Sequence, residues 1–233
     1  TLSAAFALAD ALRGPTAGRR HVGVLLPPSA AGALANLAVS LLGKVPVNLN
    51  FTVAAAAYDS ALRQARIATV VSARAFLERF PTLADKGRIV FIEDLMAGIG
   101  PRARLAALLK ALFLPARLLA CPADSPATVI FSSGTTGEPK GVMLSHHNIL
   151  SNVESVRMAL RPRPGDNVCA SLPLFHSFGL TCGVWLPLLA GFTATYCASP
   201  LDSQKVAEMV RTHRCTILFS TPTFLMSYIR RAA

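Results

Sequence analysis

Acidic side chains are scarce in this chain: 12 Asp and Glu stand against 23 Lys and Arg, giving a formal net charge of +11 at pH 7. Charged residues of both signs make up only 15% of the sequence, and 52% is hydrophobic. That balance excludes a disordered, charge-solvated segment and predicts a packed core. Cysteine is sparse too. The five (121, 169, 182, 197 and 215) are odd in number, form no C-x-x-C and lie 13 to 48 residues apart. This spacing fits neither a disulfide framework nor a zinc ribbon. His213 precedes Cys215 by two residues, but no second such pair exists, so no metal site is expected. The excess positive charge comes without finger spacing, an RNP-like aromatic run or a dense basic block, and nucleic acid is not an expected partner. No secretory leader is visible, and a reducing cytoplasm is the expected compartment. Residues 167–201 lack any Asp, Glu, Lys or Arg, yet Pro173, Pro187, Pro200, Gly179, Gly183 and Gly191 interrupt them. A buried strand–turn–helix–strand unit is expected there in preference to a bilayer span.

What the chain does have is regular alternation of strand-like and helix-like segments. Strands are expected at His21–Leu26, Val45–Asn48, Ile67–Val71, Arg88–Ile92, up to Phe131, Asn167–Leu172, Thr193–Cys197 and Cys215–Phe219. Helices are expected at Thr1–Leu12, from Ser29 to Leu42 with Gly43 as the stop, and at Ala54–Ala65 and Ala75–Phe80. Two more pieces fall between Glu93 and Leu114. Others run from Ser145 to Leu160, from Phe175 to Leu189, from Asp202 as N-cap to His213, and from Thr221 to Arg230. Residues 115–126 carry three prolines and read as a connector. The pattern predicts an α/β fold: a largely parallel sheet with helices on both faces.

One segment carries chemistry. After the apolar run Ala127-Thr128-Val129-Ile130 comes Phe131-Ser132-Ser133-Gly134-Thr135-Thr136-Gly137-Glu138-Pro139-Lys140-Gly141-Val142. Glycines let backbone N–H groups approach an anion closely, hydroxyls add rotatable donors, and a lysine adds a full charge. Such a loop wraps phosphates, and in α/β folds it sits beyond the C-terminal end of a strand. The spacing is not that of a Walker A loop, because Pro139 precedes Lys140 and Gly141 follows it. It is not G-x-G-x-x-G either. A glycine-rich surface turn is the plain alternative.

Residue by residue, the segment resembles the [ST]-S-G-T-T-G-x-P-K-G signature of adenylate-forming, AMP-binding enzymes. Ser171-Leu172-Pro173-Leu174-Phe175-His176-Ser177-Phe178-Gly179-Leu180 is similar to a second signature of that superfamily. A narrower likeness is to the acyl-ACP synthetase half of bacterial bifunctional 2-acylglycerophosphoethanolamine acyltransferase/acyl-ACP synthetases. It rests on residues 45–52, Ser72-Ala73-Arg74-Ala75-Phe76-Leu77, Glu93-Asp94-Leu95 and the tail from Cys215 through Thr223-Phe224-Leu225.

The resemblance implies ATP-dependent activation of a fatty acid and transfer to an acidic acyl carrier protein, in support of phospholipid reacylation. Ser132, Ser133, Gly134, Thr135, Thr136, Gly137 and Lys140 would hold the β- and γ-phosphates of ATP. Lys140 would also offset charge on pyrophosphate. His176 would contact the carboxylate or α-phosphate; its plain alternative is a histidine satisfied within an apolar run. His146 and His147 read as solvated or capping residues. The family's Tyr/Phe-x-Thr-Glu segment (adenine and Mg²⁺), its Thr-Gly-Asp segment and its C-terminal lysine do not follow Leu225, and no H-x-x-x-x-D is present. Residues 1–233 are therefore expected to be a subdomain truncated at both ends and inactive alone, with the Mg²⁺ ligand elsewhere. The basic surface would meet the carrier protein or an anionic membrane at the cytoplasmic face. An acyl-CoA synthetase, another carboxylate-adenylating domain and a non-enzymatic nucleotide-binding module stay open.

Overall fold

The structure, a computed structural model, describes residues 1–84, 86–114, 120–132 and 138–232, with side chains as far as Arg230. They fall into two compact units, Thr1–Leu26 with Ala31–His146, and Pro27–Ala30 with His147–Ala233.

In the first unit α1 (Leu2–Leu12), β1 (His21–Leu25), α2 (Ala30–Leu41), β2 (Val45–Asn48), α3 (Ala55–Gln64), β3 (Thr69–Ser72) and α4 (Arg74–Leu77) follow in order. Then come β4 (Arg88–Phe91), α5 (Ile92–Ala97), α6 (Pro101–Phe113), β5 (Pro126–Ser132) and β6 (Lys140–Ser145). The six strands form one sheet of order β4-β3-β1-β2-β5-β6. All neighbours are parallel except β6, which returns antiparallel along β5.

Side-chain alternation puts helices on both faces, as expected for a doubly covered sheet. Leu25, Val47, Val70 and Val129 pack with Tyr58 and Ala61 of α3 and with Phe76 and Leu77 of α4. Val22, Val24, Val71 and Val90 point the other way, onto Leu8 and Leu12 of α1 and Ala35, Ala38 and Val39 of α2. Position 23, on the first face, is a glycine because a Cβ there would meet Leu49 at 2.9 Å and Val70 at 3.0 Å.

A proline in a central strand removes a ladder donor. Here Pro46 lies between β1 and β5. The N–H groups of Val45 and Leu49 donate to Arg20 and Val24 oxygens, both at 2.9 Å, so odd-numbered residues of β2 address β1. The missing N–H of Pro46 therefore faces β5, whose register with β2 starts one residue later, at Val47↔Val129. The Pro46 carbonyl accepts the buried Thr128 hydroxyl at 2.8 Å, and the β5–β6 register shifts between Pro126 and Thr128. At the other end of β2, Asn48 and Asn36 of α2 exchange two buried amide hydrogen bonds, at 3.0 and 2.8 Å.

The second unit holds α7 (His146–Leu160), β7 (Asn167–Ala170), α8 (Ser177–Leu180), a π turn at Thr181–Trp185, α9 (Leu186–Ala190), β8 (Thr193–Tyr196), α10 (Ser203–Thr212), β9 (Ile217–Leu218) and α11 (Pro222–Ala232). β7 is flanked by β8 and β9, all parallel, in a separate three-stranded sheet. Cys169, Cys197, Val206 and Tyr228 form its core. Asp202 caps α10 as expected, its carboxylate accepting the Lys205 N–H at 3.0 Å.

Several boundaries differ from expectation. The strands divide between two sheets, and the strand expected over Cys215–Phe219 contracts to Ile217–Leu218. The segment expected at Ile67–Val71 pairs over Thr69–Ser72, because Ile67 closes a helix end. The Ile67 N–H donates to Leu62 O at 2.9 Å, and Arg66 between them is left-handed with φ 49°. Of the expected connector, residues 115–119 lie outside the described ones, and β5 begins at Pro126.

Thr128→Val keeps the shape of the side chain and removes the hydroxyl that the buried Pro46 carbonyl accepts beside the β5 ladder. The unfolding free energy should fall by about 0.5–1.5 kcal/mol in urea titration. An unchanged midpoint would show that the hydroxyl does not hold β5 to β2.

Candidate functional site

β5 and β6 form a hairpin whose ladder ends at Ser132 opposite Lys140. Between these two runs the expected phosphate loop. Ser133, Gly134, Thr135, Thr136 and Gly137 lie outside the described residues; Ser132 and Lys140 frame them. Directly paired residues of adjacent strands share a face, so the Ser132 hydroxyl and the Lys140 side chain lie on one side of the hairpin. The Ser132 hydroxyl reaches the Lys140 carbonyl in a long contact of 3.4 Å. Lys140 is exposed, and among the described residues it forms no ion pair. On the opposite face Gly141 makes room for Phe131, whose ring would lie 3.1 Å from any added Cβ.

An anchor with no sequence signal holds the loop end of this hairpin. Gln64, at the end of α3, donates its side-chain amide to the Pro139 carbonyl at 2.8 Å, across 75 residues of chain. Pro139 is thereby tied to the helix layer one residue before Lys140.

His176 belongs to the second unit and is the residue before α8. Its N–H donates to Pro173 O at 3.1 Å and its carbonyl accepts from Leu180 at 2.9 Å. The residue is exposed overall, but its ring packs on Phe175 with centroids 4.6 Å apart. This desolvation holds the imidazole below the ordinary histidine pKa and favours the neutral ring, with one N–H donor and one acceptor nitrogen. Gly179 sets the turn. A Cβ there would collide with the Pro173 carbonyl oxygen and lie 2.8 Å from that of Leu172. Only glycine lets the first turn of α8 rest on the backbone that positions His176.

The helix after it is not uniform. Pro187 has no N–H to give to the carbonyl four residues earlier, that of Gly183. The Tyr196 hydroxyl from β8 donates to that carbonyl at 2.9 Å instead. The π turn Thr181–Trp185 absorbs the mismatch, and burial pushes the Tyr196 phenol up to about 12, so it stays protonated as the donor requires.

The other singled-out residues separate from this chemistry. His146 is half-buried, its N–H bonded to Ser125 O at 3.1 Å and its pKa lowered by burial. His147 is exposed and lies 3.4 Å from the Ser151 hydroxyl. Phe178 is exposed and meets Phe219 edge-on at 5.8 Å. Cys169, Cys182 and Cys197 are buried as small hydrophobes, and burial pushes the first to about 12 and the second to about 11. Among the described residues no group of three His, Cys, Asp or Glu is placed to hold a metal ion.

A family model described as AMP-binding enzyme matches residues 2–233. Among curated proteins, the chain is 33% identical over 108 residues to the mitochondrial medium-chain acyl-CoA ligase ACSF2 of Danio rerio, covering 46% of this chain and 18% of that protein. It is 37% identical over 93 residues to acyl-CoA ligase SID4 of Ajellomyces capsulatus, covering 40% and 16%. O-succinylbenzoate coenzyme A synthetase (MenE) from Bacillus subtilis, in complex with ATP and magnesium ion, shares the fold. Its TM-score is 0.77 at 20% identity, over 97% of this chain and 57% of that one. ATP-bound MatB from Rhodopseudomonas palustris gives 0.75 at 23%, over 97% and 44%. The chain thus spans well under two thirds of the length of these relatives.

Gly179→Ala should lower stability by about 2 kcal/mol or more, because the clash is with backbone that cannot rotate away. Thermal unfolding beside the His176 imidazole NMR resonances reads both effects, and unchanged melting with unchanged resonances would refute the close-packing account. The lowered pKa values of His176 and His146 make folding favour the neutral rings. Their contribution is complete above the unfolded pKa of about 6.5 and is lost as pH falls through the lower folded values. Urea unfolding followed from pH 7.5 to 5.0 should therefore show stability falling with pH, with a shallower slope in His176→Gln.

Proposed function

The chain belongs to the AMP-binding enzyme family, and from that premise we propose that the complete protein uses ATP to activate a fatty-acid carboxylate, first as acyl-adenylate and then as thioester. The observation that carries this reading is the Ser132–Lys140 closure of the β5–β6 hairpin around the Ser-Gly-Thr-Thr-Gly segment, with a lysine free of ion pairs among the described residues.

In this reading a carboxylate oxygen attacks the α-phosphorus of ATP. The bond from that phosphorus to the bridging oxygen of the β-phosphate breaks, and pyrophosphate leaves with its electron pair. The enzyme's task is positioning and charge stabilisation. Ser132, Ser133, Thr135 and Thr136 supply hydroxyl and backbone donors to the β- and γ-phosphates, and Gly134 and Gly137 permit their approach. Lys140 offsets charge on the departing pyrophosphate. His176, neutral at pH 7, donates its N–H to the carboxylate or the α-phosphate. Mg²⁺ bound with ATP would neutralise phosphate charge. A phosphopantetheine thiol then attacks the acyl carbon and AMP leaves.

The acceptor we favour is an acyl carrier protein. The stretches at 45–52, 72–77 and 93–95 support it, and a net charge of +11 suits an acidic partner. Acylation of lysophospholipid at the cytoplasmic face of the membrane would follow. Coenzyme A is the second reading, favoured by the curated relatives, which are named acyl-CoA ligases.

Fatty-acid-dependent exchange of labelled pyrophosphate into ATP tests the first step in the full-length protein. We expect exchange in the wild type and a loss of about 100- to 1,000-fold in Lys140→Ala, the range for removing one transition-state donor in a preorganised site. No exchange with fatty acids of any length, in folded protein with Mg²⁺, would overturn the reading. Acceptor assays with carrier protein and coenzyme A then separate the two thiols.

A further inference from the structure

α6 has two apolar faces, and the first unit uses one of them. Ala107 is buried with Phe6 and Ala7 of α1, and Ala111 packs beside them. Lys110 on the same side reaches Asp10 of α1 at 2.6 Å. Turned away from α1 stand Leu105, Leu108, Leu109, Leu112 and Phe113, exposed by 58, 44, 48, 65 and 72%. Their spacing of i, i+3, i+4, i+7 and i+8 is that of one helical stripe. Five large apolar side chains in one exposed row mark a surface that something covers.

The charges around the stripe say what. α6 carries Arg102, Arg104 and Lys110 and no acid. The acid that α1 presents to it, Asp10, is already shared by Lys110 and by Arg13 at 3.4 Å. The chain as a whole is +11. An apolar stripe at the edge of uncompensated positive charge fits a surface that is greasy within and negative at its rim. Thirteen residues are about 20 Å of helix, too short to cross a bilayer and long enough to lie along one. Among the described residues no helix is long and apolar enough to span a membrane. We propose that α6 is an in-plane membrane helix: its leucine and phenylalanine row enters the headgroup–acyl boundary of an anionic bilayer, and its arginines meet the lipid headgroups.

The test is co-sedimentation of the full-length protein with vesicles of phosphatidylglycerol and phosphatidylcholine, against vesicles of phosphatidylcholine alone. Binding to the anionic vesicles should weaken about tenfold or more in the Leu105→Gln, Leu109→Gln double variant and roughly fivefold in Arg102→Gln. Thermal unfolding should not change in either, since these side chains are exposed. Three results would overturn the proposal. The first is no preference for anionic vesicles. The second is binding that survives the leucine substitutions. The third is a lower melting temperature in the double variant, which would show that another part of the protein or a second copy covers the stripe.

Discussion

The attachment of β5 to β2 governs the first unit. β5 lies some 80 positions beyond β2, and its place in the sheet decides where the Ser132–Lys140 hairpin emerges. Pro46 limits how the two strands join, because the β5-facing side of β2 lacks one donor. The ladder starts after the proline, a threonine hydroxyl adds a hydrogen bond to the proline carbonyl, and on its other side β5 shifts register against β6 between Pro126 and Thr128. The Asn36–Asn48 amide pair then locks α2 over the far end of β2. A buried amide pair tolerates little displacement, since a half-made one costs more than none. The hairpin is carried by a strand whose lateral neighbour is clamped at both ends.

Much of this was legible in the sequence. Alternation of β-branched runs with alanine- and leucine-rich stretches led to a parallel sheet covered on both faces, and the hydrophobic clusters on its two sides are that arrangement. The serine–threonine–glycine run after an apolar strand pointed to Ser132 and Lys140, which the structure pairs. Other features left no trace. Gln64 is an ordinary residue near the end of an amphipathic helix, and nothing in its neighbourhood announces a contact to Pro139. Period-2 patterns identify strands but not their partners, so the division into two sheets was hidden. The π turn was invisible because its cause, Pro187, and its remedy, Tyr196, lie on different elements.

Two glycine-dependent contacts do related work in the two units. Gly141 admits the ring of Phe131 into the hairpin, and Gly179 lets α8 sit on the Leu172–Pro173 backbone. Neither glycine is left-handed. Their role is absence of volume, and it fixes the neighbours of Lys140 in one case and of His176 in the other. The same economy shapes α6, where alanines make the close approach to α1 and the bulk is kept for the outer side.

Left-handed residues close helices elsewhere, and there the chain is unconventional. α2 ends on Gly43, but α3, α7 and α10 end on Arg66, Arg161 and Arg214, with φ near 50°. A side chain in this conformation costs about 1–2 kcal/mol that glycine avoids. Each arginine also sets a positive charge at the negative end of its helix, where the macrodipole returns a fraction of that cost. Backbone strain and ionic attraction are thus coupled at three helix ends. Because mobile ions screen the attraction and leave the strain untouched, those three ends respond to the salt around them.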